Sequence, residues 1–186
     1  MAEKTQKSRT FDAVMIALMA AVIAVCSWIS IPVGSVPVTL QTFAVAVCGI
    51  LLGMKKGTLA VVVYILLGVV GLPVFSFFTG GIGAIMGATG GYIAGFVFIP
   101  LAGGFFCEKF GDKFILNFIG TAVGLLLCYT AGTLWYVFVY LRNTGDVTIG
   151  AALVTCVLPY IIPDLLKTGL ACWVAKAVKS GLGAVK

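Results

Sequence analysis

The run FILNFIGTAVGLLLCYTAGTLWYVFVYL, residues 114–141, contains no charged side chain. A helix rises 1.5 Å per residue and the bilayer core is about 30 Å thick, so about 20 apolar residues span it. A soluble helix of this length would place charged residues on its solvent face, and this run has none to place. The run therefore indicates a membrane-spanning helix.

Other apolar runs occupy most of the remaining chain. They cover residues 11–31, 38–54, 58–74, 91–106 and 159–178. The sequence is 61% hydrophobic and only 10% charged, whereas an ordinary soluble domain has about 25% charged residues. We therefore predict an all-α polytopic membrane protein with six transmembrane helices, forming a single membrane-embedded domain over residues 1–186.

Basic residues collect at alternate ends of these six runs. Ten of the 12 cations share one side: Lys4, Lys7, Arg9, Lys55, Lys56, Lys109, Lys113, Lys176, Lys179 and Lys186. By the positive-inside rule, this side and both termini are predicted to lie in the cytoplasm. The clusters form no basic face interleaved with aromatic residues, so the net charge of +6 predicts no nucleic-acid partner.

The predicted connection between the third and fourth helices is unusual. It reads GLPVFSFFTGGIGAIMGATGG at residues 71–91, lies on the external side and combines many glycines with apolar side chains. Irregular backbone at membrane depth is tolerated only against protein or a wet cavity. We expect this loop to fold back over the bundle as a lid or re-entrant cap. A tightly packed loop without a ligand is the alternative.

Asp164 and Lys167 are the only acid and base within a predicted span and away from its cytoplasmic rim. Each would cost about 2.5 to 3.5 kcal/mol at the centre of a lipid-facing helix, so both should face the interior. Their spacing puts them on one helical face. Pro159 and Pro163 suit a helix start, which places the pair about one turn from the outer end. The pair either binds a polar ligand or joins two helices.

Several function classes lack the residues that they need. The chain has no histidine, no nucleophile–base pair and no metal-ligand cluster, so we predict no enzyme activity and no cofactor. GMKKGT, residues 53–58, has the wrong spacing for a nucleotide-binding loop. A membrane-embedded enzyme that acts on lipid is the alternative from another class. Ala13 and Ala17 belong to a small-residue face of the first helix, which suits either internal packing or a partner subunit.

Four motifs together resemble the BioY family, the biotin-specific S components of energy-coupling factor (ECF) vitamin transporters. They are VPVTLQT at 36–42, GLPVF at 71–75, GATGGYIAGF at 87–96 and PDLLK at 163–167. The resemblance extends over essentially the whole chain. The family usually has proline before the TGGY element, whereas this chain has Ala88, a departure that should alter loop stiffness more than ligand contacts.

The resemblance implies a multi-pass subunit of the cell membrane that captures biotin at high affinity from the external side. A separate transmembrane coupling subunit and two cytoplasmic ATPases would then drive uptake. In such systems an alanine-rich face of the first helix meets the coupling subunit, so Ala13 and Ala17 become candidates for that contact. An S component for a different vitamin or small heterocycle is the alternative within transport.

Biotin suits a pocket with apolar walls and a few well-placed hydrogen bonds. Its ureido group offers two N–H donors and one carbonyl acceptor, so we expect Asp164 to accept from the donors and Lys167 to donate to the carbonyl. The other predicted contacts are the rings of Phe75, Phe78, Tyr92 and Tyr160, the backbones of Gly90 and Gly91, the polar groups of Thr39 and Gln41, and Arg142 for the carboxylate.

Overall fold

The computed structural model describes residues 2–32, 36–143 and 149–184, and the chain is mostly helical there. The helices are α1 (Ala2–Trp28), α2 (Gln41–Val69), α3 (Ile82–Met86), α4 (Gly90–Gly95), α5 (Phe98–Phe110), α6 (Phe114–Asn143), α7 (Ile149–Cys156) and α8 (Leu158–Ala184). A short 3-10 turn covers Ser76–Phe78. Strands β1 (Ser30–Ile31) and β2 (Val38–Thr39) form a small antiparallel pair that the sequence did not predict.

Four stretches of the described chain are long and apolar enough to cross a membrane. They are Arg9–Trp28, Gln41–Val69, Gly90–Phe110 and Phe114–Leu141. A fifth candidate is the pair Gly150–Cys156 and Leu158–Gly181, whose two helices are bent by 43°. The prediction of a helical, multi-pass membrane protein is therefore confirmed.

Helix α2 reverses direction at Gly53, where φ is 79° and ψ is −179°. Gln41 Nε2 donates to Tyr64 OH at 2.8 Å although the two residues are 23 positions apart, a separation of about 35 Å along a straight helix. The halves 41–52 and 54–69 are consequently antiparallel neighbours. The sequence predicted two runs joined by GMKKGT, but the connection needs only one residue, because glycine adopts positive φ without strain.

Small residues bring α4 and α5 close to α6. A Cβ on Gly95 would lie 3.1 Å from Cys128 Cα, and one on Gly124 would lie 2.7 Å from Ile99 Cα. Helices in lipid associate through such close backbone approaches, since lipid tails are as apolar as the side chains. This contact sets the position of α4, which borders the site described below.

Polar contacts gather at one end of the bundle. Lys56 pairs with Asp12 at 2.6 Å, and Lys179 lies 3.3 Å from Asp112. The Met54 N–H beside the reversal donates to a carboxylate of α5 at 2.9 Å. These contacts join α1, α2, α5 and α8 at the end where most of the predicted cytoplasmic cations lie.

Some helix bounds differ from the prediction. The run 91–106 is divided between α4 and α5. The third predicted helix, 58–74, ends at Val69, because Gly71 adopts a φ of 109° and the N–H groups of Gly71 and Leu72 turn back to Gly68 O and Leu67 O. Helix α7 lies in what was predicted to be an outer connection, since its eight residues are too few to suggest a span. Pro163 lies inside α8 rather than at its start, so Asp164 is nearly two turns deep instead of one.

Candidate ligand-binding site

A cavity of about 570 Å³ lies among β2, α2, α4 and the glycine-rich segment, residues 71–89, which we call the cap segment. More than half of the residues that line the cavity belong to the cap segment. The volume falls in the range of about 300 to 1,000 Å³ that is typical of small-molecule sites. The glycine-rich stretch of the sequence therefore forms a wall of this cavity.

A second cavity of about 50 Å³ adjoins the first. The two share the lining residues Val36, Pro37, Thr39, Tyr92 and Phe96. The smaller one is also bounded by charged and hydroxyl groups: Thr42, Tyr129, Tyr160, Asp164 and Lys167. The two cavities thus share part of their wall, and we call the smaller one, which Asp164 and Lys167 border, the polar end of the site.

Asp164 and Lys167 form an ion pair at this polar end. Lys167 Nζ lies 2.5 Å from Asp164 Oδ1. Both residues are buried: Lys167 is 9% exposed and Asp164 is 5% exposed. The structure places both side chains in the interior, as the free-energy cost of a charge in lipid requires. They come from one face of α8 because they are three positions apart in the sequence.

Other groups complete the hydrogen bonds of the pair. Thr42 Oγ1 donates to Asp164 Oδ1 at 2.9 Å, and Tyr129 OH donates to Asp164 Oδ2 at 2.6 Å. Lys167 Nζ also donates to Thr39 O at 2.7 Å and to Thr42 Oγ1 at 3.2 Å. The ammonium thus uses its three protons, while the carboxylate keeps some accepting capacity. The network joins α8 to β2, α2 and α6.

Buried donors attach the cap segment to the bundle. Val74 O accepts from Ser27 Oγ at 2.5 Å and from Tyr64 OH at 3.0 Å. The Gly81 N–H donates to Gly68 O at 2.7 Å. The cap segment is consequently fixed to α1 and α2 on both sides of its 3-10 turn, and this turn presents side chains to the cavity.

Seven of the predicted ligand-contact residues line one or both of the cavities. Thr39, Gln41, Phe75 and Tyr92 line the large cavity, and the small one is lined by Thr39, Tyr92, Tyr160, Asp164 and Lys167. Phe78 lines neither: it is 62% exposed and stacks on Trp28 with ring centroids 5.0 Å apart. Its neighbour Phe77 lines the large cavity instead.

Gly90 and Gly91 are buried at packing contacts and are not among the lining residues of either cavity. A Cβ on Gly90 would lie 1.6 Å from Ile85 O, and one on Gly91 would lie 2.2 Å from Trp135 Cβ. They allow the cap segment and α4 to approach their neighbours closely. The side chain of Arg142, at the end of α6, lies outside the described part of the structure.

Ala13 and Ala17 are exposed on α1. Ala20 and Ala24 continue the same helical stripe further along α1, where they pack into the core with Met19 and Ile23. The alanine-rich pattern therefore fits both roles considered from the sequence, internal packing and contact with a partner subunit. Ala20 and Ala24 pack internally, whereas Ala13 and Ala17 leave a smooth face exposed.

Tyr129 is a site residue that the sequence analysis missed. It occupies the middle of the run 114–141, where the apolar pattern does not indicate which face meets α8. A buried tyrosine hydroxyl usually has a hydrogen-bond partner. That rule was the available signal, but it does not identify Asp164 as the partner.

These features define a class: a multi-pass membrane protein with a mostly apolar small-molecule cavity close to a buried ion pair. The chain belongs to the BioY family, whose model matches residues 1–184. The family predicted from the four motifs is thereby confirmed. Because the matched relatives are named as transporters, the comparison also agrees with the prediction of a protein that is not an enzyme.

Two relatives and one solved structure illustrate the match. The chain is 36% identical over 165 residues to the probable biotin transporter BioY of Pyrococcus horikoshii, covering 89% of this chain and 94% of that one. It is 38% identical over 162 residues to the biotin transporter BioY of Thermotoga maritima, covering 87% and 92%. The crystal structure at 2.1 Å of the S-component for biotin from an ECF-type ABC transporter superimposes with a TM-score of 0.84 and 26% identity, covering 94% and 93%.

Proposed function

We propose that this chain is the biotin-binding S component of an ECF transporter and mediates biotin uptake across the cell membrane. The main supporting observation is a cavity of about 570 Å³ that shares part of its wall with a smaller cavity bordered by the buried Asp164–Lys167 pair. Membership of the BioY family and the biotin-related names of the matched proteins support it. Biotin is the transported ligand and not a cofactor.

The proposed topology has six crossings with both termini in the cytoplasm. The crossings are α1, the two halves of α2, α4 with α5, α6, and α7 with α8. The reversal at Gly53 supports counting α2 twice. The half 41–52 is about 18 Å long, which is short for a core of about 30 Å. The gathering of basic residues at the Gly53 end supports the orientation.

In the proposed complex, the ureido ring lies at the polar end of the site. Asp164 accepts from a urea N–H group, and Lys167 donates to the urea carbonyl, which leaves the second N–H and one carbonyl lone pair for another partner. Since Thr42 and Tyr129 already bind this pair, their hydroxyl groups rotate or yield to the ligand. The charged groups and the ligand then all have hydrogen-bond partners. This matters because a polar group left without a partner in a desolvated site costs free energy.

The body of biotin occupies the larger cavity in this proposal. Phe75 and Tyr92 contact the rings, Tyr160 closes the narrow end, and Thr39 and Gln41 supply further polar groups. The valerate tail extends towards the cap segment, with Arg142 as the candidate cation for its carboxylate. Phe77 takes the contact first expected of Phe78, and Gly90 and Gly91 act by setting the cap position.

The proposed partners are a transmembrane coupling subunit and two cytoplasmic ATPases. The exposed alanines Ala13 and Ala17 support a close helix contact with the coupling subunit, because small side chains let backbones approach in lipid. The sequence has no nucleotide-binding loop of its own. Energy for uptake therefore comes from those partners.

Calorimetric titration of the purified, biotin-stripped chain tests this function. Biotin should saturate one site per chain with high affinity, whereas riboflavin, thiamine and niacin should not bind. Binding of another vitamin without binding of biotin would support the alternative S component and contradict this assignment. Turnover of a lipid would instead favour the membrane-embedded enzyme.

A further inference from the structure

Gln41 is 3% exposed and lines the large cavity. Its amide nitrogen donates to Tyr64 OH at 2.8 Å, and that hydroxyl donates to Val74 O at 3.0 Å. A chain of two hydrogen bonds thus leads from the cavity wall to the start of the cap segment. Tyr64 itself is fully buried and lines neither cavity.

The direction of these bonds fixes the orientation of the Gln41 amide. A backbone carbonyl only accepts, so the single hydroxyl proton of Tyr64 goes to Val74 O. The Tyr64 oxygen then has only lone pairs to offer to Gln41, and the group of Gln41 that meets it must be the N–H₂. An amide flipped by 180° would bring two acceptors together.

The fixed amide leaves two groups free for a ligand. One proton of Nε2 is used by Tyr64, so the other proton and the carbonyl oxygen Oε1 remain. Oε1 has no hydrogen-bond partner within the described residues. A carbonyl and an N–H on adjacent atoms form an edge that pairs by two hydrogen bonds with the neighbouring N–H and C=O of a cyclic urea.

We propose that Tyr64 is a positioning residue that holds Gln41 so that its amide edge reads the N–H and C=O of a cyclic urea ligand. The inference rests on the proposed function and adds a specificity element that is separate from the ion pair. A ring without this edge would leave a buried Gln41 amide unpaired. Sites built to hydrogen-bond a group reject analogues that lack it much more strongly than apolar walls do.

The surroundings of Tyr64 allow its hydroxyl to be tested alone. Its ring packs edge-on against Phe75 with centroids 5.6 Å apart, and Tyr64→Phe preserves this contact. Val74 O also retains its bond from Ser27 Oγ. The substitution therefore removes one hydroxyl and releases the Gln41 amide, while the cap segment stays attached.

The test is a double-mutant cycle on biotin affinity, with the purified full chain as wild type, Tyr64→Phe, Gln41→Met and the double variant. Tyr64→Phe should weaken binding by about tenfold when Gln41 is present. In the Gln41→Met background the same substitution should change affinity by less than about twofold, because the residue that it positions is gone. Equal losses in both backgrounds would overturn the proposal.

Ser27→Ala is the control for the cap attachment: it removes a hydroxyl that bonds to Val74 O and Ala24 O and lies beside Tyr64, but it leaves the Gln41–Tyr64 bond in place. It should keep biotin affinity within about twofold of wild type. A loss as large as that of Tyr64→Phe would assign the effect to the cap attachment and overturn the positioning role. Wild-type protein that does not bind biotin would contradict the proposed function itself, a distinct outcome.

If Tyr64→Phe does not fold, a second measurement that does not need this variant tests the proposal. The wild type and Gln41→Met are titrated with biotin and with the diamine that remains after removal of its urea carbonyl. Gln41→Met should reduce the preference for biotin over the diamine by about tenfold. An unchanged preference would remove Gln41 as the reader of the urea edge, and with it the role of Tyr64.

Discussion

Asp164 and Lys167 face each other in the interior, where each supplies a counter-charge for the other and hydroxyl groups complete the hydrogen bonds. A buried pair of this kind adds little net stability, since desolvation offsets much of the attraction. Removal of one member is different, because the remaining charge is left buried and alone. The stability and the ligand role of the pair can therefore be separated.

A comparison of single and double substitutions makes this separation. Asp164→Leu or Lys167→Met alone should lower the free energy of unfolding by about 3 to 5 kcal/mol, because one buried charge is left unpaired. The double variant should recover most of that loss. Denaturant unfolding in detergent measures it, and a double variant less stable than either single would contradict the account. Biotin binding should be lost even where stability returns.

The interior position of this pair was predictable from sequence, because few charges interrupt the apolar runs and lipid excludes them. The residues that hydrogen-bond to the pair could not be predicted. Tyr129 approaches from α6 across 35 positions, and only the packing of α6 against α8 determines that contact. Phe77 and Phe78 both have positive φ, 57° and 56°, a conformation that apolar residues rarely adopt. The sequence therefore gave no means of choosing Phe77 for the cavity.

At the element scale, the reversal of α2 depends on Gly53. It sets the two halves of α2 side by side and thereby brings Gln41 to Tyr64. A Cβ at Gly53 would lie 2.2 Å from Glu108 Oε1, the acceptor for the Met54 N–H. Gly111 has nearly the same backbone conformation, with φ of 78° and ψ of −179°, but open space around it.

Gly111→Ala is therefore a matched control for Gly53→Ala. Both substitutions should destabilise the chain by about 1 to 3 kcal/mol through backbone strain. Gly53→Ala should cost about 1 kcal/mol more, because the displaced Glu108 carboxylate leaves Met54 N–H without its acceptor. Thermal unfolding of the two variants checks this order, and a larger loss for Gly111→Ala would refute it.

The apolar runs and the position of the α2 turn were readable from sequence, since lipid imposes long apolar segments and glycine indicates a turn. Helix α7 could not be predicted, because its eight residues are too few to form an apolar run long enough to span the membrane. The bend at α7 and α8 and the division between α4 and α5 arise from tertiary packing. That packing places α4 and α8 beside the cavity.

For the whole molecule, the proposed function separates ligand capture from coupling. The cavity is lined by β2, α2, α4 and the cap segment, whereas Ala13 and Ala17 form an exposed surface on the part of α1 that precedes the buried Ala20. A substitution there should disturb partner contact and leave the cavity intact. The resemblance to S components suggested this division, and the exposed alanine face supplies a physical basis for it.

Ala17→Trp should keep biotin affinity within about twofold while lowering biotin uptake by at least about tenfold in cells that supply the ECF partners, because a bulky ring prevents close helix approach. Val25→Trp is the control, since Val25 is also exposed on α1 but lies nearer its other end. Uptake assays and copurification measure both variants. Normal uptake with Ala17→Trp would remove this face from the coupling contact.

In the proposed function, biotin binds in the cavity and is held at the polar end of the site by Asp164 and Lys167. The most direct measurement is equilibrium titration of biotin into purified wild type, Asp164→Asn and Lys167→Met, each shown to be folded. Thr130→Val serves as the control because its hydroxyl bonds only to its own helix. We expect both site variants to bind more than tenfold more weakly than the control. Unchanged affinity in folded Asp164→Asn would contradict the claim.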